Sequence, residues 1–514
     1  MDGKRSKIGG EMQNAIRATK RAETGAEAET EAGAQGAGRR PAAARGRLID
    51  ARSLVAVCAL SLSTFVQNGY VHPPFSASNP WALVLSGLLY GAAFGLWALV
   101  AHRGSAPLSV RAATVGAVGT LVAGCALWML GAFDGYNLAV TLAGAALLSC
   151  GRAWAVIVAG LSLARLGPRG VLVTMAGGVC LSYAVFLAFG PLLAFAPVIA
   201  YALLPAVALA AVAAPVARLR DGLSDRTPPS ELALTNPGSF PGPFNRLFVC
   251  IFLFEVAFGL SITFGAGSDT RWQSVVGGVA MLALAGWCAF TQRGSREDAL
   301  FHVSGLLVVF GFFVSSAQTV ALGWVASGTL TVGAQMFSVL TWATLAIIAA
   351  RNPSGGIAAL GQGFCASSCG ATLGVALTQL PVAADATGSD VRLLLLALVA
   401  AAFVGYVWIV LKDFSFSEAI RGVKPVEEVE APAVPEAAIE TRCAHLAEVH
   451  GLTEREGEVF VLLARGRNGA FIQEECRVTR NTAKTHIRHI YQKLNVHTQQ
   501  ELIDLVESGR DYIV

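Results

Sequence analysis

Five residues near the C-terminus, Arg480, Lys484, Thr485, Arg488 and Lys493, have the types and spacing to meet a polyanion. Ala483, Ile487, Ile490 and Leu494 recur at intervals of four, three and four, so a helix here buries one apolar stripe and turns the basic residues outward. No acid interrupts the run from Arg480 to Lys493. On such a face Lys and Arg meet phosphate oxygens or guanine edges, and a small threonine permits close approach to bases. The chemistry implied is recognition of double-stranded DNA in its major groove.

A second group sits in apolar surroundings. Arg152 and Glu255 fall inside long hydrophobic stretches, and Gln335 and Gln362 inside two others. Ionisable residues at membrane depth are costly and mark functional sites or structural ion pairs, so Arg152 and Glu255 are the first candidates for sensing a small molecule; Gln335 and Gln362 are weaker ones that equally suit hydrogen bonding between helices. Arg152 and Glu255 come from opposite halves of the hydrophobic region and are placed to face one cavity or to pair across it. Gln67, Asn68 and Gln318 suit hydrogen bonding between helices, while Gly87, Gly91 and Gly95, and Gly370 with Gly374, suit close helix packing. Cys365 and Cys369 share a helix face without a His or carboxylate beside them, so no metal is expected. No phosphate loop, nucleophile elbow or metal-hydrolase motif is present, and neither a cofactor nor an enzyme is expected.

Two kinds of element must position these groups. The chain has 514 residues, 54% hydrophobic and 14% charged, where soluble domains carry roughly 25% charged residues. A mean hydropathy of +0.57 over this length cannot be hidden in one core, and a lipid bilayer is the solvent that fits. Apolar stretches near 53–72, 80–101, 110–131, 137–164, 170–190, 191–215, 246–265, 271–292, 298–319, 323–349, 355–380 and 390–411 have about the 20 residues that span the hydrocarbon as a helix. They make about twelve spans in two groups of six, separated by the polar loop Val216–Asn245, with the division of the 170–215 block expected around Pro191. Alternate loops hold eleven arginines (Arg103, Arg111, Arg165, Arg169, Arg218, Arg220, Arg226, Arg246, Arg293, Arg296, Arg351) against two (Arg271, Arg392). The positive-inside rule then puts both termini in the cytoplasm of a multi-pass inner-membrane protein.

Four regions follow. Residues 1–52 read as a disordered basic tail, 53–411 as the transmembrane domain and 443–514 as a soluble C-terminal domain. Between the last two, 412–442 reads as an acidic, proline-interrupted linker carrying Glu427, Glu428, Glu430, Glu436 and Glu440. The eight cysteines in apolar runs behave as small hydrophobes, in keeping with a reducing compartment.

In the C-terminal domain, Thr453 and Glu456 form a capping box that opens a helix bearing Val459, Leu462 and Leu463, and Gly466 stops it. Asn468 caps a short second helix with Phe471, Ile472 and Cys476, Thr479 caps the basic third helix, and a second capping box, Thr498 with Glu501, opens a fourth. Short helix, tight turn and longer basic helix stand in helix-turn-helix order.

The runs Leu452-Thr453-Glu454-Arg455-Glu456, Glu458-Val459, Thr482-Ala483-Lys484-Thr485-His486, Ile490, Lys493-Leu494 and Val496 resemble the four-helix LuxR-type DNA-binding domain over about 449–508. The resemblance implies that the third helix enters the major groove, that Lys484, Thr485 and Arg488 contact DNA, and that the fourth helix pairs two copies. One departure stands out: Arg467-Asn468-Gly469-Ala470-Phe471 replaces a string that is usually Ser-Asn-Lys-Glu-like, which removes polar residues from the second helix. The two groups of six spans resemble the major facilitator arrangement, without its Gly-Asp-Arg-Gly-Arg-like loop motif: that loop here is His102 to Leu108.

The expectation is an all-α protein: a bundle of about twelve membrane helices carrying a LuxR-type reading head. It reads as a bacterial one-component transcriptional regulator that senses a small molecule or membrane state and binds DNA as a homodimer. The alternative is a major-facilitator-like transporter with a fused regulatory domain.

Overall fold

The computed structural model describes residues 48–508, except 80, 104–107, 222–228, 243–244, 265–269, 292–295, 316–319, 384–393, 395–396, 399–400, 407–408, 410, 413 and 425–434. The expected N-terminal tail up to residue 47, Arg226, Arg293, Gln318, Arg392 and the linker acids Glu427, Glu428 and Glu430 lie outside the described residues. Every regular element among the described residues is helical.

The first is α1 (Ala51–Val66), which a π-turn at Gln67–Val71 joins to α2 (His72–Ser78). Then come α3 (Ala82–Arg103), α4 (Val110–Phe133), α5 (Leu138–Leu163), α6 (Pro168–Phe195) and α7 (Pro197–Asp221). A short α8 (Pro229–Thr235) precedes α9 (Arg246–Phe264), α10 (Thr270–Phe290), α11 (Arg296–Ser315), α12 (Val320–Arg351) and α13 (Gly356–Ala383). Nine helices among the described residues are long and apolar enough to cross a membrane, the α1–α2 rod counting as one. The stretch expected at 390–411 is described only in part, with 401–406 helical.

The 170–215 block divides at Ala196 and not at Pro191, which lies inside α6. Proline at the first position of a helix costs nothing, because that amide has no intrahelical partner. Pro197 therefore starts α7, while Pro191 is accommodated within α6.

Trp154, Ile157 and Leu163 of α5 and Leu340, Ala343 and Ile348 of α12 are buried, which puts one helix of each set at the centre. The sets meet where α3 packs on α13 and α6 on α10. Gly370 and Gly374 are glycine for a visible reason: a Cβ there would meet the backbone oxygens of Phe252 and Val256 on α9. Gly91 likewise admits Cys369, whose Sγ would lie 2.9 Å from an added Cβ. At the periphery the pattern inverts, with Phe133, Phe195 and Phe290 exposed to 86%, 90% and 86%. Large apolar side chains turned outward in such number need lipid around them.

Three of the loop arginines tie helix ends together. Arg169 donates to the carbonyls of Cys288 (3.3 Å) and Ala289, Arg220 to Pro353 (3.3 Å), and Arg111 pairs with Asp221 at 3.1 Å. Free carbonyls at a helix C-terminus favour a cation, and Arg169 meets two of them at the end of α10.

Beyond the bundle, α14 (Phe416–Gly422) is held at both ends. Ser415 Oγ and Ser417 Oγ donate to Asp298 at 3.0 and 2.7 Å, and Arg351 donates to the carbonyls of Ile420 and Val423 at 2.8 and 3.1 Å. The soluble part comprises α15 (Glu436–Val449), α16 (Glu454–Ala464), α17 (Gly469–Glu475), α18 (Arg480–Leu494) and α19 (Gln499–Ser508). Two segments expected to be featureless linker are thus helical. In the second, Ile439, Cys443 and Leu446 make a buried stripe that the surrounding glutamates mask in a composition count.

Candidate DNA-recognition face and membrane cavity

The capping residues set the frame of the soluble domain. Thr453 and Glu456 close the expected capping box, Gly466 ends α16 at φ +74°, Asn468 Oδ1 accepts from Phe471 N at 2.9 Å, and Asn495 takes the left-handed conformation after α18. The second capping box is only half formed. Thr498 Oγ1 accepts from Glu501 N at 3.1 Å, but the Glu501 carboxylate takes His497 N at 2.7 Å and Lys424 Nζ at 2.9 Å.

Ala483, Ile487, Ile490 and Leu494 are buried at 5% exposure or less, and Lys484, Thr485 and Arg488 stand exposed on the other side of α18 with Arg480 at its first turn. Thr485 Oγ1 donates to the Asn481 carbonyl at 3.0 Å. Lys493, at the far end of the helix, has partners within the domain. Its Nζ reaches Glu456 Oε2 at 2.7 Å and the Gly451 carbonyl at 2.9 Å, so it braces α18 against α16. Burial works to raise the Glu456 pKa, but the hydrogen bonds from Lys493 and Thr453 outweigh it and hold the carboxyl at about 2.

The departure at 467–471 has a structural counterpart. Gly469, the first residue of α17, packs on Leu234 of α8: a Cβ at 469 would lie 2.8 Å from Leu234 Cδ1 and 3.3 Å from Leu234 Cβ. Leu234 is 3% exposed and belongs to the same apolar cluster as Val459, Ile472 and Ile490. Polar contacts follow along the same segment. Tyr491 Oη donates to the Thr235 carbonyl, Gln499 N to Asn236 Oδ1 at 3.3 Å, and Lys424 N to the Gly238 carbonyl at 3.2 Å. From the bundle, Asn352 Nδ2 donates to the Ser239 carbonyl at 2.9 Å. Residues 234–240, within the loop that joins the two sets of spans, therefore lie between the soluble domain and the end of α12. A polar-loop reading of 216–245 misses this; the only sequence signals were the apolar Leu232-Ala233-Leu234 and the unexplained Gly469.

In the bundle, a cavity of about 320 Å³ is lined from both sets of helices, by Arg152, Gln67, Asn68 and Tyr90 on one side and Glu255 and Gln335 on the other. The structure thus brings together three of the four sensing candidates; Gln362 is not among the lining residues. The π-turn begins at Gln67 and carries Gln67 and Asn68 to the wall, and such turns recur at functional sites. Arg152 is 5% exposed. It donates through Nη2 to Thr64 Oγ1 at 2.6 Å and through Nη1 to Gln67 Oε1 and to Tyr201 Oη (3.4 Å), with its guanidinium 4.9 Å from the Tyr90 ring centre. Its Nε has no partner, and among the described residues no carboxylate pairs with it. Glu255 accepts one hydrogen bond, from Ser367 Oγ at 3.0 Å. Arg152 and Glu255 line the same cavity without closing a salt bridge.

Residues 450–506 match the family described as bacterial regulatory proteins, luxR family. Over 103 residues the chain is 34% identical to the HTH-type transcriptional regulator MalT of Vibrio campbellii, covering 19% of this chain and 10% of that protein. Over 97 residues it is 32% identical to the response regulator protein VraR of Staphylococcus epidermidis, covering 18% and 46%. The chain thus spans less than half the length of these relatives. Among solved structures it is similar to the E. coli fucose:proton symporter FucP (TM-score 0.45, 14% identity, 68% of this chain and 96% of that one). It is also similar to a bacterial homologue of the iron transporter ferroportin (TM-score 0.46, 12% identity, 69% and 98%). Residues 450–506, with their capped helices and exposed basic third helix, form a LuxR-type helix-turn-helix domain on a chain that is otherwise a membrane protein of long apolar helices.

Proposed function

We propose that this chain is a membrane-anchored one-component transcriptional regulator. Its bundle senses a small molecule or membrane state, and Arg480, Lys484, Thr485 and Arg488 carry its contacts to double-stranded DNA. The chain sits in the inner membrane with both termini in the cytoplasm, acts as a homodimer on paired half-sites, and catalyses no reaction. The names of the matched relatives, both regulators, support the DNA-reading part.

The observation that carries the coupling is the seating of residues 234–240 between the helix-turn-helix domain and Asn352 at the end of α12. A shift of one helix set against the other moves this segment and so acts on the reading head. A ligand that prefers one arrangement of the sets then biases DNA binding by as much as its affinities for the two differ. Homodimerisation belongs to the released domain, because Arg442 of α15 donates to the Val506 carbonyl at 3.0 Å and only Asp504 and Ser508 of α19 are exposed.

The test is genome-wide recovery of DNA on the full chain in its membrane, followed by affinity for the recovered duplex. Lys484→Ala and Arg488→Ala should abolish enrichment without loss of protein from the membrane. Enrichment that survives both changes removes the assignment of this face, and ligand accumulation by reconstituted proteoliposomes would favour the transporter alternative.

A further inference from the structure

We infer that the cavity takes a small zwitterion, its anionic group held by Arg152 and its ammonium group by Glu255. This rests on the reading of the bundle as a sensor and names the chemistry of what it senses. Three observations converge. Arg152 is nearly fully buried, its acceptors Gln67, Thr64 and Tyr201 are all neutral, and its Nε is unpartnered. A buried cation without a counter-charge is costly, and the cost is relieved by an anion that enters the cavity. Glu255, on the wall supplied by the other set of helices, carries one hydrogen bond from Ser367 and has acceptor capacity to spare.

The site therefore offers one positive and one negative end. A lone anion would approach Arg152 but face Glu255, and a lone cation the reverse. A molecule carrying both charges answers both and adds no net charge to the site. The same cavity is also lined by Tyr90, Phe94, Phe364 and Trp342, with Phe94 and Phe364 5.4 Å apart and Trp342 4.7 Å from Phe364 between ring centres. The middle of the ligand is accordingly apolar or aromatic. A volume of about 320 Å³ lies at the small end of ligand sites, which run about 300–1,000 Å³, and suits an amino-acid-sized molecule. Because each pole sits on a different helix set, such a ligand bridges the two.

The experiment is equilibrium binding to the purified full chain in lipid nanodiscs. The probes are a panel of radiolabelled amino acids (phenylalanine, tyrosine, 4-aminobutyrate), with 3-phenylpropionate and phenethylamine as single-charge analogues. At least one zwitterion should bind ten-fold or more tighter than either analogue. Arg152→Gln should weaken the zwitterion at least ten-fold and improve phenethylamine, whereas Glu255→Gln should weaken the zwitterion and improve 3-phenylpropionate. An improved analogue shows that the variant is folded, and if Arg152→Gln is lost to misfolding the isosteric Glu255→Gln decides alone. A zwitterion no better than both single-charge analogues, no binding by the panel, or a ranking unmoved by Glu255→Gln overturns the proposal. Duplex binding by the same preparations is scored separately, so a failed ligand assignment is distinguished from a failed regulator.

Discussion

Shortening Leu234 to alanine is the change that probes the link between bundle and reading head. Leu234 is 3% exposed, and its Cδ1 would lie 2.8 Å from a Cβ at position 469, so its side chain fills the space that Gly469 leaves. Truncation of a buried leucine costs about 2–5 kcal/mol. Leu234 lies in the segment and not in the soluble domain, so the loss falls on the docked state. At about 2 kcal/mol the docking equilibrium shifts by ~30-fold towards the released domain, one decade per ~1.4 kcal/mol. If release is needed for DNA binding, apparent affinity scales with the released fraction, and Leu234→Ala tightens duplex binding by up to ~30-fold in fluorescence anisotropy on the nanodisc-embedded chain. The opposite perturbation is a cysteine pair. With Leu234→Cys and Gly469→Cys the two Cβ atoms stand 3.3 Å apart, close to the 3.5–4.5 Å of disulfides. Oxidation should lock the docked state and weaken duplex binding, and reductant should restore it, with each single cysteine as control. Unchanged affinity in both Leu234→Ala and the oxidised pair would refute the coupling route.

Three further outcomes follow from the same geometry. Lys484→Ala should weaken duplex binding of every sequence and lower the slope of log affinity against log salt by about one, whereas a change confined to one base position would make Lys484 a base reader. Lys493→Ala should instead destabilise the C-terminal domain by about 1–3 kcal/mol, read as a lower melting temperature, since it removes the cation paired with a Glu456 carboxylate that is 4% exposed; an unaltered melt with impaired DNA binding would make recognition the main role of Lys493. The pH dependence has a defined sign. Glu456 is held at about 2 against an ordinary 4.5, so its contribution is present above pH 4.5 and is lost as pH falls towards 2. In Glu456→Gln that part of the acid sensitivity should vanish, and an identical acid profile in the variant would contradict it.

How far the sequence carries is uneven, and the reasons are physical. Helix caps at Thr453, Asn468 and Thr479 were legible because each is a local interaction within four residues. The stripe of Ala483, Ile487, Ile490 and Leu494 was legible because a 3.6-residue period needs no partner to be read. The pairing of Lys493 with Glu456 was not legible, because charge alone does not say whether a residue of a helix also meets a buried acid, and Glu456 is distant in sequence. Helix α15 hid behind glutamates that lie on its outer face, with Ile439 and Cys443 inside. Leu234 could not be found from its own surroundings at all. Its partner Gly469 lies more than two hundred residues on, and only the missing Cβ there hinted at a neighbour. In the bundle, Arg152 and Glu255 stood out by their cost in lipid, but Thr64 and Tyr201 around the guanidinium are common membrane residues whose role comes from packing alone.

The measurement that bears most directly on the account is duplex binding by the full chain embedded in nanodiscs, titrated with salt. The account expects binding that weakens steeply as salt rises, with a shallower slope once Lys484 or Arg488 is replaced by alanine. A membrane-embedded chain that ignores duplexes at low ionic strength, or binds them with a slope indifferent to both changes, would contradict it.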